Sequence, residues 1–121
     1  MLSTTRLFTA AAALLFASSC LVGVQADSTE ATWYDPNGGR GACGAPLKNS
    51  DLVVALPESR YEGGKHCWKH IGIHYQGKYV EAVVSDMCPD CEWNHIDISE
   101  GTFQQLADLG TGVIDVTWDF V

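Results

Sequence analysis

The chain has 121 residues, 7 of them basic and 15 acidic, for a formal net charge of −8, and 46% are hydrophobic. That length supports one small domain with its own core rather than two. An acidic balance of this size excludes nucleic acid, whose phosphates require neutralising Lys and Arg, and argues equally against anionic membrane surfaces.

The first residues do not belong to the working domain. After a short start, Arg6 supplies a positive charge and Leu7 to Val24 is an uncharged run rich in Ala, Leu and Phe. Val24-Gln25-Ala26 then offers the small residues that a signal peptidase reads. A secretory signal peptide over residues 1–26 is expected, with one domain over residues 27–121 and an extracellular destination. Cleavage removes Arg6 and no acidic residue. It also removes Cys20, which leaves Cys43, Cys67, Cys88 and Cys91. Four cysteines in a small secreted domain imply two disulfides, in any of three pairings. Cys88-Pro89-Asp90-Cys91 has no second C-x-x-C to complete a zinc site, and no metal or cofactor is expected.

Thr32-Trp33-Tyr34 is a β-prone triplet, stopped by the turn formers Asp35-Pro36-Asn37-Gly38-Gly39. In Gly41-Ala42-Cys43-Gly44 the flanking glycines permit close approach of another segment at the cysteine. A loop over Leu47 to Asp51 leads to Leu52-Val53-Val54-Ala55-Leu56, an apolar run that Pro57 ends and that predicts a buried strand. Glu58 to Lys65, with Gly63-Gly64, predicts a turn. A strand pattern starts at His66, with Ile71, Ile73 and Tyr75 on one face and Gly72, His74 and Gln76 on the other. Gln76-Gly77-Lys78 predicts a hairpin, and Val80, Ala82 and Val84 alternate along the returning strand. Ser99 is placed to cap a short helix with Phe103, Leu106, Ala107 and Leu109 on its apolar side and Gly110 at its end. Ile114, Val116, Trp118 and Phe120 mark a closing half-buried strand. Five or six short strands with one helix predict an all-β domain, closed as a barrel.

The chemistry concentrates between Tyr79 and Ser99. Asp86 ends a strand, Cys88, Pro89 and Cys91 pin the turn after it, and Trp93, His95 and Asp97 follow. Carboxylates beside an aromatic can grip a sugar or cleave one; alternatively, both aspartates serve turns and the indole fills a gap. His70 and His74 share a strand face but lie about 13 Å apart, too far for one metal ion. No serine sits on a nucleophile elbow.

Taken in order, Thr32-Trp33-Tyr34, Gly41-Ala42-Cys43-Gly44, His66-Cys67, Val84-Ser85-Asp86-Met87-Cys88-Pro89-x-Cys91, Ile96-Asp97-Ile98-Ser99 with Phe103, and Gly112-Val113-Ile114-x-Val116-x-Trp118 resemble the double-psi β-barrel domain of the RlpA-like, barwin and expansin superfamily. The likeness covers the whole expected mature chain and is nearest to the short single-domain fungal expansin-like proteins called loosenins. It implies a six-stranded double-psi β-barrel with one or two short helices. It also implies a shallow polysaccharide groove, to which Thr32, Tyr34, Asp86, Trp93, His95 and Asp97 are assigned. In expansins the position of Asp86 is required for wall loosening without hydrolysis, and the position of Asp97 is the general acid in related glycoside hydrolases. The base of those hydrolases falls on Pro36 here, with Asp35 one residue early, so the acid/base pair is incomplete. The family pattern pairs Cys43 with Cys67 and leaves Cys88 with Cys91. The expected function is that of a monomeric, secreted protein loosening a cellulose- or chitin-type β-glycan. The competing readings are a protein-binding module, such as a cysteine protease inhibitor or effector, and a weak glycoside hydrolase.

Overall fold

The computed structural model describes residues 28–121; the expected signal peptide and Cys20 lie outside the described residues. Six strands, β1 (Thr29–Tyr34), β2 (Val53–Pro57), β3 (His70–Tyr75), β4 (Lys78–Cys88), β5 (His95–Ser99) and β6 (Val113–Phe120), close into a barrel in the order β1-β5-β2-β4-β3-β6. β1 pairs in parallel with β5, and β2 with β4, while the remaining neighbours are antiparallel. Two short helices, α1 (Glu58–Tyr61) and α2 (Glu100–Gln104), lie in the connections. The fold is the six-stranded double-psi β-barrel.

Period-two alternation builds the interior. Ile71 and Ile73 of β3, Val80, Ala82 and Val84 of β4, and Ile114 and Val116 of β6 all point into one core with Val54, Leu56, Ile96 and Ile98. Phe103 and Leu106 are fully buried against the same core. The β3–β4 hairpin forms where the sequence predicts it. Tyr75 pairs with Lys78, and both Gln76 and Gly77 take the positive φ that a two-residue hairpin turn demands.

Several boundaries differ from expectation. The pattern from His66 becomes a strand only at His70, because residues 66–69 curl back, with Trp68 at φ 73°. Leu52 lies outside β2 and is exposed, whereas Pro57 is inside it and buried. Glu58–Tyr61, expected as part of a turn, is helical. Ser99 does cap α2, its hydroxyl accepting from the Thr102 N–H at 3.2 Å. The helix nevertheless stops at Gln104, and the chain extends at Asp108 (φ −71°, ψ 143°) before a 3-10 turn at Leu109–Thr111. Leu106 reaches the core from this irregular stretch rather than from a helix face.

One irregularity positions the site. Along β2 and β4, Val54 lies opposite Val84 and Ala55 opposite Asp86, so Ser85 is an extra, unpaired residue. Uninterrupted alternation after Val80, Ala82 and Val84 would turn Asp86 into the core. A one-residue bulge reverses the parity and turns it out. Ser85 itself is buried, and its hydroxyl donates to the Val83 carbonyl at 3.1 Å.

The long β1–β2 connection is docked on this bulge. The Cys43 N–H donates to the Ser85 carbonyl at 3.2 Å. Gly41 sits so close that a Cβ there would lie 2.5 Å from the same oxygen and 2.7 Å from Leu47 Cδ1, which leaves room for glycine alone. Disulfides join Cys43 to Cys67, 24 residues apart, and Cys88 to Cys91, 3 apart. Closing the longer loop restricts the unfolded chain more. Replacing Cys43 and Cys67 by Ala is expected to destabilise the protein by about 3 kcal/mol, and replacing Cys88 and Cys91 by about 2 kcal/mol. Urea denaturation of both double variants checks the order, and an equal or reversed order would show that native packing, not loop closure, sets the contribution.

Candidate functional site

Pairing register alone places four residues in one row on the face away from the core. Asp86 of β4 is opposite Ala55 of β2, Ala55 is opposite Asp97 of β5, and Asp97 is opposite Thr32 of β1. Asp86 and Asp97 are therefore two strands apart, about 10 Å between Cα atoms. Tyr34, two residues beyond Thr32 on the same face, leans across the row, and its phenol donates to Asp86 Oδ2 at 2.9 Å.

Asp86 is held by three donors. Besides Tyr34, the Ala42 N–H reaches Oδ1 at 2.8 Å and the Met87 N–H reaches the same oxygen at 2.9 Å. One contact comes from β1, one from the β1–β2 connection and one from its own strand, so the carboxylate has little freedom to turn. Charge-assisted bonds of this kind are roughly twice as strong as neutral ones.

Asp97 has a different environment. Its Oδ1 accepts from the Thr32 hydroxyl at 3.2 Å, and Thr32 Oγ1 lies 2.8 Å from His95 Nε2. With the hydroxyl proton directed at Asp97, His95 donates through Nε2, which makes a relay from imidazole through hydroxyl to carboxylate. His95 Nδ1 faces Glu30 Oε1 at 3.9 Å. Burial pushes the Asp97 carboxyl up to about 6, aided by the charge of Asp86 and opposed by the Thr32 hydrogen bond and by His95. Burial, the hydrogen bond to Asp86 and the two carboxylate charges raise Tyr34 far above its ordinary range. The phenol therefore stays protonated and donates to Asp86. The site couples an anchored carboxylate to a carboxyl that titrates near neutrality.

Of the six residues assigned to the groove, Thr32, Tyr34, Asp86, His95 and Asp97 are joined by these contacts. Trp93 belongs to another cluster. Its ring lies 4.1 Å under the guanidinium of Arg60, which also covers Trp118 at 4.9 Å. Asp35 does not enter the row; it acts on Glu100, whose carboxyl it raises. Among the described residues, no group of three or more His, Cys, Asp or Glu is placed to hold a metal ion.

Sequence reasoning missed the Ala42 and Met87 N–H groups that fix Asp86, and the part played by Ser85. A small polar residue before the carboxylate was the available signal for the bulge. Nothing in the sequence pointed to Arg60.

The chain matches the family model described as lytic transglycolase over residues 25–118. It is 34% identical over 96 residues to the papain inhibitor of Streptomyces mobaraensis, an alignment covering 73% of this chain and 67% of that protein. The solved Streptomyces papain inhibitor superposes with a TM-score of 0.71 at 32% identity, over 80% of this chain and 94% of that one. A mutant Clavibacter michiganensis expansin, solved in complex with cellohexaose, superposes with a TM-score of 0.73 at 25% identity, over 80% of this chain and 50% of that one. The chain spans between 26% and 45% of five other curated relatives. Matched along nearly all of its described length, and folded as the same closed barrel, the chain belongs to the RlpA-like double-psi β-barrel family that carries the lytic transglycolase description.

Proposed function

We propose that the protein is secreted and binds a neutral cell-wall β-glycan, cellulose- or chitin-like, across the Asp86–Asp97 row, loosening contacts between chains without cleaving them. The observation that carries this reading is the anchored Asp86 carboxylate on the outer face, in line with Asp97 and Thr32. Carboxylates fixed in place accept hydrogen bonds from sugar hydroxyls, while a protonated Asp97 supplies a donor. Such a set can replace, group for group, the hydrogen bonds that hold one glycan chain to the next. The likeness to an expansin solved with cellohexaose supports a glycan as the occupant.

Cleavage requires more. Inverting hydrolysis needs a second carboxylate free to take a proton from water. Pro36 stands where the base of related hydrolases falls, Asp35 lies outside the row, and three donors hold Asp86 with one acceptor site left on Oδ2 for a hydroxyl. A second reading, protein binding of the cysteine-protease-inhibitor kind, is favoured by the likeness to papain inhibitors, whose solved chain is covered almost completely. Fold alone does not choose between them.

Asp86→Asn preserves an acceptor for the Ala42 and Met87 N–H groups, and Tyr34 can turn to accept from the amide. The variant should therefore fold with a stability loss of about 1 kcal/mol, whereas Asp86→Ala strips the anchor and should cost about 2 kcal/mol. Weakening of filter paper or chitin film by wild type, with no reducing ends released, and loss of weakening in Asp86→Asn is the expected result. Equal weakening by both proteins would remove Asp86 from the mechanism; sugar release by wild type would mean hydrolysis. Inhibition of papain at stoichiometric concentration, with no retention on any glycan, would favour the second reading.

Asp97 adds a pH dependence with a defined sign. Its folded value of about 6 exceeds the ordinary 3.8, so between these values the folded state binds more protons than the unfolded one. Stability falls as pH rises through that window. Asp97→Asn should abolish this part of the fall, narrowing the drop in Tm between pH 4 and pH 7 relative to wild type. Glycan weakening that uses the protonated carboxyl should decline above about pH 6. Calorimetry across the window tests the first statement, and parallel Tm profiles for wild type and Asp97→Asn would refute it.

A further inference from the structure

The end of the barrel beside the carboxylate row carries a second cluster. Here β1 and β5 begin, and β2, β4 and β6 end. Arg60, on the helix that follows β2, lies between the indoles of Trp93 and Trp118, 4.1 Å and 4.9 Å from their centroids. Phe120 meets Trp118 edge to face at 5.4 Å. These rings and Arg60 wall a cleft of 320 Å³, with Glu62 and Asp119 at its margins. That size falls within the range of small-molecule sites.

Three features point to a ligand. Trp93, 58% exposed, and Phe120, 44% exposed, line the same cleft, so it presents two aromatic rings together to solvent. The orientation of Trp93 is fixed from one side by a cation–π contact, which leaves an indole ring partly open to solvent. The wall mixes aromatic faces with both hydrogen-bond donors and acceptors, and its polar groups, Arg60 and His66 against Glu62 and Asp119, mix both signs and suit no strongly charged guest. A pyranose ring has this character: a patch of C–H groups for an aromatic face and a rim of hydroxyls for polar side chains.

The cleft is also connected to the row. Arg60 and Trp93 line a neighbouring depression with Asn94, and Asn94 lines a further one with His95 and Glu30. His95 bonds Thr32 beside Asp97. We propose that Trp93, clamped by Arg60 against Trp118, is a distal aromatic subsite for a neutral β-linked glycan. One chain lies over Asp86 and Asp97 and continues past His95 and Asn94 to stack a sugar ring on Trp93. This rests on the glycan reading above and extends its site to the barrel end.

A subsite at a distance predicts dependence on ligand length. Calorimetric titration should use tri- and hexasaccharides of the cello- and chito-series against wild type, Trp93→Ala, Trp93→Phe, Arg60→Ala and Asp86→Asn. In whichever series binds, wild type should hold the hexasaccharide more tightly than the trisaccharide. Trp93→Ala should lose about tenfold on the hexasaccharide, the equivalent of 1.4 kcal/mol, and nothing on the trisaccharide. Trp93→Phe should retain most of the affinity, and Arg60→Ala should lose about threefold through a looser indole, a loss within the 0.5–1 kcal/mol of an exposed cation–π contact. In wild type, the indole N–H resonances of Trp93 and Trp118 should shift with the hexasaccharide only. Hexasaccharide affinity equal in wild type and Trp93→Ala, with Asp86→Asn weakened, would overturn the subsite and leave the groove standing. Failure of wild type to bind either length in both series would overturn the groove and the subsite together. Should Trp93→Ala lose its thermal transition, Arg60→Ala carries the test, and wild-type hexasaccharide affinity in it would overturn the subsite.

Discussion

Asp86 joins three parts of the chain that are far apart in sequence. Its oxygens receive the Tyr34 phenol from β1, the Ala42 N–H from the long β1–β2 connection, and the Met87 N–H from β4. The Ser85 bulge makes this possible by turning the carboxylate out of the core, and Gly41 makes it possible by letting the connection lie flat on the bulge. Remove any of these and the carboxylate would be buried, unanchored or misdirected. Two of the three donors stand on strands and the third on a connection held by the bulge and the Cys43–Cys67 disulfide, which is how a shallow open groove can still present fixed groups.

The same arrangement separates the roles of two aspartates that look alike in sequence. Asp86 is surrounded by donors that stabilise its charge. Asp97 is partly withdrawn from water and shares the field of Asp86, which favours its proton. Thr32 and His95 moderate that tendency without cancelling it. The site offers both an acceptor and a titratable donor within one row, a combination suited to exchanging hydrogen bonds with a polyol.

The sequence revealed much of the fold because period-two alternation and turn chemistry agree locally along β3, β4 and β6. The Gln76-Gly77 turn, the Ser99 cap and the apolar stripes all lie where those rules place them. It was a poorer guide to Leu106 and Leu109, which reach their packing from irregular backbone that no helical period describes. Asp97 was legible from its place after the cysteine-pinned turn, but Thr32 only through family likeness, since their adjacency arises from parallel pairing between distant strands. Trp93 was expected beside the aspartates because it is near them along the chain. Arg60 draws it instead toward Trp118, a long-range contact with no local signature.

The way the barrel closes has a bearing on how the chain is made. β6 is the last strand, and it alone joins β1 to β3. Until Phe120 is available, the sheet keeps two open edges and the core stays uncovered on one side. The parallel pairs likewise join segments far apart along the chain, a topology that folds slowly. During synthesis the barrel would therefore stay open until the residues through Phe120 have emerged, dependent until then on whatever holds exposed strands apart.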